Sequence, residues 1–575
     1  MPLKPNQRSR AQESRAAIQR LYIAMRHLFI RGNYKPLGVS GEAIIEALTQ
    51  LRPEIYGSIN DPERVELDGL LYVFQRLPKG IEECRYIKLI SREGFEDSNF
   101  EPIVPSKRRR NSYRIDESQM YIEMTRGRSD IYDILTHLTF MYIEAEKIRR
   151  NSEDHKQRKR REWEMLEKIV VREEKGEEYN KEIAYTYLST LLGRTYEETV
   201  DACQRFSSAS DVNSVFHITY WLGKLATEEA MDEGDREISF SSALREKIGH
   251  HYYGDLWARN IKSALLERNL LNRPLHIISA NLHSVMNTLY AKAALRTKNE
   301  IEDLARELSE PANEEMRQRV QKYAVRNGMV QIDDTSGTNI SVQIIDTAQL
   351  NLSSLPTELK KDESYIANEK PVILVMDYAF GEQAYETMDE LLKPFEQEHG
   401  EDIPLNVQSI AIMGKAGILE GGKGDIMIPD AHVFEGTADN YPIENELRPE
   451  DFQGKGLRVF SGPMITVMGT SLQNRDILRY FLKSSWKAAG LEMEGAHYQK
   501  AIQAASKIRK SINEAVSLRY AYYASDNPLI SGQTLASGSL GADGVKPTYL
   551  ITIQFLNRIL NPAAVTPEPK NQVAR

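Results

Sequence analysis

Residues 372–383 read Val372-Ile-Leu-Val-Met-Asp-Tyr-Ala-Phe-Gly381-Glu382-Gln383, and this stretch decides the fold class. The unbroken apolar run at its start predicts a strand that is buried on both faces, as in a parallel sheet. A turn follows and ends at Gly381, and a helix is predicted over 382–398. Strand, turn and helix in this order form the repeating element of an α/β domain.

The same pattern continues toward the C-terminus. Further strands are predicted over 408–413, 425–428, 457–461, 491–493 and 518–525, and further helices over 475–487, 496–510 and 547–560. Residues 371–560 are therefore predicted to form an α/β domain. Residues 561–575 contain Pro, Ala and Lys and are expected to form a flexible tail.

The chain before this domain has a different character. Up to about residue 325 the apolar residues follow helical spacing, as in 131–142, and Thr195 with Glu198 forms a capping-box pattern. Residues 1–325 are thus expected to form a mostly helical domain, and the sequence assigns it no role. Residues 326–370 combine two strand-like runs with a polar linker and are read as a transitional segment.

Composition excludes several classes of protein. The 575 residues carry a net charge of −9, which makes a nucleic-acid partner unlikely. Cys84 and Cys203 are the only cysteines, too few for a disulfide framework or a cysteine zinc site. No apolar run reaches the length of a membrane span, so a cytoplasmic protein without a membrane partner is expected.

Unusual residues follow several of the predicted strands, where the active sites of α/β sheets gather. They are found in the segments Gly414-Lys-Ala-Gly417, Gly421-Gly-Lys-Gly424, Glu492-Met-Glu494 and Ser525-Asp-Asn527. Taken singly, each has an ordinary explanation. A glycine pair often marks a turn, a glutamate at a helix start compensates the helix dipole, and Ser-Asp often opens a turn.

Taken together, in this order, these segments resemble the purine nucleoside phosphorylase and nucleosidase superfamily. The stretch Ser525-Asp-Asn-Pro-Leu529 is most similar to that of AMP nucleosidases, which also place a non-catalytic domain ahead of the hydrolase domain. The resemblance covers about a third of the chain. It implies a central mixed sheet flanked by helices, a purine nucleoside or nucleotide as substrate, and a homo-oligomer. It implies neither a cofactor nor a metal.

The resemblance also assigns roles to residues. Asp526 matches the acid that protonates the departing purine, Glu494 the carboxylate that binds the ribose hydroxyls, and Glu382 a carboxylate that activates water. Met493 would lie against the ribose. The remaining substrate-binding candidates are Glu492, Gly414, Lys415, Ala416, Gly417 and Asn527, and weaker candidates for a 5′-phosphate are Lys415, Lys423 and Arg448.

Hydrolysis is favoured over phosphorolysis. Phosphorylases of the superfamily hold phosphate with arginines, whereas residues 371–447 contain none, and Glu382 would repel phosphate. Two alternatives stay open, namely a phosphorolytic nucleoside phosphorylase and a non-catalytic nucleotide-sensing or scaffold protein. For any of them, Gly414–Gly417, Glu492–Glu494 and Asp526 have to lie at one edge of a single sheet.

Overall fold

The computed structural model describes residues 9–397, 400–437, 439–530 and 540–565. It divides into two compact units, Met1–His250 with Ser471–Ile477, and His251–Thr470 with Leu478–Arg575. Most of the expected tail, residues 566–575, lies outside the described residues. Among the helices that are described, none combines the length and the hydropathy needed to cross a lipid bilayer.

The N-terminal unit is built mainly from helices. Its described part contains α1 to α9, which cover Arg10–Arg31, Val39–Leu51, Leu67–Phe74, Gly127–Asn151, Arg161–Lys175, Lys181–Leu192, Tyr196–Ser207, Val215–Ala230 and Ser242–Gly249. It also contains the short strands β1 to β5, which cover Asn33–Tyr34, Tyr86–Ile90, Ser112–Arg114, Gln119–Glu123 and Glu237–Phe240. These strands form one sheet in the order β1-β5-β2-β4-β3.

The second unit is an α/β domain. Its strands β6 to β17 cover Leu275–Ser279, Met329–Ile332, Val342–Asp346, Val372–Met376, Val407–Ile418, Ile426–Ile428, Ala431–Phe434, Asn440–Pro442, Val459–Ser461, Met464–Thr466, Gly490–Glu492 and Ser517–Asp526. The helices α10 to α18 cover Tyr252–Glu267, Leu282–Leu295, Ile301–Ser309, Glu314–Arg326, Glu363–Glu369, Gln383–Leu391, Arg475–Lys483, Gly495–Gln503 and Val545–Leu560. The first residues of α16 cluster with the N-terminal unit.

All twelve of these strands belong to one mixed sheet, and the long strand β10 organises it. The first part of β10 pairs in parallel with β6 and β17, and its last residues, Gly417 and Ile418, pair antiparallel with β16. The sheet continues from β6 through β9 to the antiparallel pair β8 and β7. One strand thereby brings the ends of β16 and β17 together.

Alternating side chains of the sheet fill two separate cores. Ile277, Leu374 and Ile410 belong to one hydrophobic cluster, which also contains residues of α10, α15 and α17. Their neighbours along the strands belong to a second cluster, which contains residues of α11, α12, α13 and α18. Successive residues of a strand face opposite sides, so the sheet is covered by helices on both faces.

The structure differs from the sequence-based expectation mainly before residue 371. The α/β unit begins at His251, and its strand β6 lies in the middle of the sheet between β9 and β10. The segment Leu275–Ser279 is buried along its whole length and has no alternation, so its pattern is equally compatible with a helix. The strands of the N-terminal unit are two to five residues long, too short for an alternating pattern to stand out.

The central position of β9 sets an expectation for stability. Leu374 is fully buried in the sheet, so Leu374→Ala should lower the free energy of unfolding by about 2–5 kcal/mol, because it removes apolar contacts and leaves a cavity. Denaturant titration of both proteins measures the difference. Ile508→Ala is the control, because Ile508 is 79% exposed; equal losses for the two variants would contradict the arrangement of the core.

Candidate functional site

Three of the predicted segments meet at the end of β10. Gly417 pairs with Leu491 of β16 on one side and with Asp526 of β17 on the other. Neighbouring strands lie about 4.8 Å apart, so Asp526 lies about two strand spacings from Leu491, the residue before the Glu492–Glu494 segment. The structure thus brings the glycine segment, the two glutamates and Asp526 to one edge of one sheet.

Asp526 ends β17, and its side chain is fully buried. Its Oδ1 lies 2.5 Å from the Ser525 hydroxyl, which lies 3.2 Å from the carbonyl oxygen of Ala416. Its Oδ2 has no hydrogen-bond partner among the described residues. Burial raises the pKa of Asp526, and Ser525, Lys415 and Lys423 oppose the rise only in part. A buried carboxyl with one unused oxygen is suited to hold a proton and donate it.

Glu494 stands immediately before α17 and is partly buried. Its Oε1 accepts a hydrogen bond of 2.9 Å from the backbone N–H of Gly381, at the start of the turn into α15. Burial, together with the charge of Glu492, raises the pKa of Glu494 to about 8. Met493 beside it is 8% exposed. Glu494 therefore links the start of α17 to the turn that leads into α15.

Glu492 has a structural role in place of the predicted contact with substrate. Its side chain is 2% exposed, and its Oε1 accepts a hydrogen bond from the hydroxyl of Thr466. Its Oε2 accepts from the backbone N–H groups of Glu494 and Gly495, the first of them at 2.6 Å. Ala496 N–H donates to the Thr466 hydroxyl at 3.1 Å. Two side chains from neighbouring strands thus bind three consecutive N–H groups where α17 begins, groups that a helix leaves unpaired.

The buried side chains His432 and Tyr522 pack against the start of α17. His432 Nε2 and the Tyr522 hydroxyl are 2.9 Å apart, and burial lowers the pKa of His432 to about 3, so its ring is neutral. A Cβ added to Gly495 would lie 2.3 Å from the His432 ring, and one added to Gly414 would lie 2.8 Å from the Tyr522 ring. Both glycines are therefore required by packing. The role of Gly414 in binding the substrate stays a prediction.

The other predicted residues fall into two groups. Lys415, Ala416 and Gly417 lie beside Asp526, and the charges of Lys415 and of the exposed Lys423 reach it. Asn527 is used within the fold, since its amide donates to the Gly421 carbonyl and accepts from Leu529 N–H. Arg448 is two residues from Glu446, whose backbone N–H donates to the carbonyl of Leu518. Leu518 lies at the other end of β17 from Asp526. The role of Arg448 as a phosphate ligand stays a prediction.

Glu382 stands at the start of α15, next to the Gly381 N–H that Glu494 binds. Its charge acts on His497 of α17. The sequence pattern predicts β9 as the first strand of the domain, whereas β6 precedes it and places Asn281 and His283 at the same edge. The role of Glu382 in activating water stays a prediction.

A cavity of about 780 Å³ opens beside Lys415. The strand ends contribute Asn281, Tyr378, Lys415 and Tyr523 to its wall, and α11, α12, α13, α18 and the segments before α13 and α18 supply the remainder. Because Lys415 both lines the cavity and acts on the charge of Asp526, the cavity and the buried acid are neighbours. The sequence did not indicate this cavity, because α11 to α13 lie almost entirely in residues 1–325, which were expected to form a separate helical domain.

The comparisons with known proteins give one family and a set of distant structures. A family model described as a family of unknown function (DUF6909) matches residues 42–323 and 306–561. No curated protein matches the chain.

The solved structures that match include three nucleoside-cleaving enzymes. Campylobacter jejuni 5′-methylthioadenosine/S-adenosyl homocysteine nucleosidase is 11% identical, with a TM-score of 0.30 over 50% of this chain and 98% of its own. Futalosine hydrolase of Helicobacter pylori is 13% identical, with a TM-score of 0.30 over 51% and 99%. AMP nucleosidase from Bacteroides thetaiotaomicron is 14% identical, with a TM-score of 0.29 over 53% and 99%.

The binding of the α17 N–H groups gives a test of the site's construction. Thr466→Val keeps the shape of the side chain and removes the hydroxyl that Glu492 and Ala496 use. It should lower the free energy of unfolding by about 1–3 kcal/mol, because two buried polar groups lose a partner. Denaturant titration measures the loss, and Thr357→Val, at an exposed threonine, should change the same free energy by less than about 0.5 kcal/mol. An unchanged free energy of unfolding in Thr466→Val would show that this hydroxyl does not stabilise the start of α17.

Proposed function

The chain belongs to DUF6909, a family of unknown function, and we propose from its site that the unit starting at His251 hydrolyses the N-glycosidic bond of a purine nucleoside or nucleotide. The observation that carries the proposal is the buried Asp526 with a raised pKa and one unpaired oxygen, next to the strand end that leads to a second carboxylate, Glu494. Among these substrates, the proposal favours AMP-like nucleotides.

Cleavage of this bond needs two kinds of assistance. The purine leaves as a poor anion unless it receives a proton, and the ribose passes through a cationic, oxocarbenium-like state. A protonated Asp526 supplies the proton to the base. General acid catalysis of this kind raises the rate by about 10²–10⁴-fold. An ionised Glu494 accepts hydrogen bonds from the ribose hydroxyls and stabilises the positive charge as it develops.

The arrangement of the two carboxylates supports this division of roles. The Ser525 hydroxyl holds the orientation of Asp526 at the strand end, and the charge of Lys415 reaches it. Glu494 is fixed by Gly381 N–H and by the helix start that Glu492 and Thr466 bind. A protein that only binds nucleotides has no need of a proton donor at the base. Retention of both groups therefore favours an enzyme over a sensor or scaffold.

Water is the favoured acceptor of the ribosyl group. The cavity beside Lys415 does contain an arginine, Arg317, but its guanidinium donates to the carbonyl groups of Leu308, Glu310 and Pro311. It is therefore not available as a bidentate clamp for inorganic phosphate. Glu382, at the start of α15, is proposed as the group that activates the water.

The role of Asp526 can be tested by replacing its carboxyl group with an amide, which cannot donate the proton as an acid does. Asp526→Asn keeps the size of the side chain and should lower kcat by about 10²-fold or more, with little change in KM, since the acid acts in the transition state. Base release from AMP and adenosine, followed by chromatography, gives both constants. Asp430→Asn serves as the control, because Asp430 is exposed. Unchanged turnover in a folded Asp526→Asn protein would remove Asp526 from the mechanism.

The raised pKa of Glu494 predicts a linkage between binding and protons. Below about pH 8 the free enzyme holds a proton on Glu494, and ribose hydroxyls bind best to the ionised form. Binding of a non-cleavable nucleoside analogue should therefore release close to one proton at neutral pH, and the release should vanish above the pKa. Calorimetry in buffers of different ionisation enthalpy measures it. Glu494→Gln should abolish the release; an unchanged release would assign the proton to another group.

A further inference from the structure

The connection between β15 and α16 takes the chain from the α/β unit into the helical unit and back. β15 ends at Thr466 and α16 begins at Arg475, yet residues Ser471–Ile477 cluster with the N-terminal unit. β15 and β16 are parallel neighbours, so α16 is the crossover helix between them. The segment that joins the helical unit therefore lies, along the chain, between the two residues that hold the start of α17, Thr466 and Glu492.

Asn474 is the central residue of this segment, and it is 7% exposed. Its side-chain oxygen accepts hydrogen bonds from the N–H groups of Asp476 at 2.9 Å and Ile477 at 3.2 Å, which caps the start of α16. Its amide nitrogen donates at 2.8 Å to the carbonyl of Leu51, the last residue of α2. The last carbonyls of a helix have no partner within it. One side chain thus serves the start of one helix and the end of another.

The chain that follows α2 holds the same segment through its backbone. The N–H of Glu54 donates to the carbonyl of Gln473 at 2.9 Å. Ser471 and Leu472, the two residues before Gln473, are 1% and 2% exposed. Backbone and side-chain contacts from the helical unit therefore fix the end of the connection between β15 and α16.

The other end of the connection reaches the candidate site. The N–H of Val467 donates to the carbonyl of Glu492 at 2.8 Å, directly after Thr466. Residues 467, 469 and 471–474 are all buried. In a close-packed interior a displaced residue moves its neighbours, so a shift at Asn474 is passed along the connection to Thr466. The Thr466 hydroxyl in turn binds Glu492 and the N–H of Ala496 in the first turn of α17.

We infer that the helical unit positions the proposed site, with Asn474 as the positioning residue that ties the end of α2 to the connection behind Thr466. This assigns a role to the helical unit, for which the sequence indicated none. The effect of the link on turnover rests on the proposed function, whereas its effect on the start of α17 does not.

A single substitution separates the link from the helix cap. Asn474→Asp keeps the oxygen that caps α16, removes the donor to Leu51 and places a negative charge at the negative end of α2. Asn180→Asp is the matched control in the same unit. Asn180 is exposed and caps α6, where its oxygen accepts from the N–H of Ile183 at 3.1 Å.

Hydrogen exchange followed by mass spectrometry tests the link without any ligand. In Asn474→Asp the amides of residues 467–474 and of residues 494–496 should exchange about 10-fold faster than in the wild type, the effect of losing one buried hydrogen bond. Asn180→Asp should leave both segments at wild-type rates. Faster exchange confined to residues 467–474, or no change in either segment, would overturn the inference.

A second pair of variants changes the helical side of the link and leaves the segment itself intact. Glu54→Pro removes the N–H that binds Gln473, at the first position of a 3-10 turn where proline is tolerated. Glu54→Ala removes the same carboxylate and keeps the N–H. Exchange at residues 494–496 should rise in the proline variant and not in the alanine variant; equal rates in the two would contradict the link.

Turnover shows whether the link positions the site or only stabilises the fold. Well below the unfolding temperature, Asn474→Asp should lower kcat/KM for base release from AMP by about 10-fold, with both kcat and KM affected, because Glu494 is displaced from the ribose. A loss of stability alone leaves both constants of the folded protein unchanged, and that result would overturn the positioning role. If the wild-type protein releases no base, the proposed function fails and hydrogen exchange alone decides the inference.

Discussion

The site depends on the hydrogen bonds that hold the start of α17. Glu492 and Thr466 come from the ends of two adjacent parallel strands, and together they bind the N–H groups of residues 494–496. A buried carboxylate is expensive unless its oxygens are satisfied, and here both are. Because the helix start is anchored to the sheet, the Glu494 carboxylate has a defined position. The Gly381 N–H, in the turn before α15, donates to the same carboxylate and fixes it further. The chemistry proposed for Glu494 requires that fixed position.

The path of β10 explains how distant parts of the chain share one edge. Its last residues leave the parallel sheet and pair antiparallel with β16, while Gly417 still pairs with Asp526 of β17. Ser525 and Ala416 connect the same two strands through a hydroxyl that also reaches Asp526. Asp526 and Glu494 therefore occupy different environments, one deeply buried and one partly buried beside a second carboxylate. Burial raises the pKa of both, so the opposite tasks proposed for them require that ribose binding ionises Glu494 while Asp526 keeps its proton.

Sequence alone predicted the four helices and six of the strands after residue 371, because those elements have distinct apolar runs, but it missed the short strands β12, β13 and β15. It also brought Asp526, Glu494 and the Gly417 region together through the order of short segments. It missed β6, whose buried residues show no periodicity, and with it Asn281, His283 and the cavity. It also assigned Glu492, Gly414 and Asn527 to the substrate, although burial and hydrogen bonds give them structural roles. Residue type and spacing do not show which oxygens of a carboxylate are already in use.

The most direct measurement is to identify the sugar product formed in water enriched in ¹⁸O without added phosphate. The account predicts that incubation with AMP releases adenine and ribose 5-phosphate, with the label in the hydroxyl group at C1 after correction for exchange at the anomeric carbon. A strict requirement for phosphate, with a sugar 1-phosphate as product, would contradict hydrolysis. Tight binding of AMP without release of any base would contradict the assignment of Asp526 as an acid and leave a binding protein.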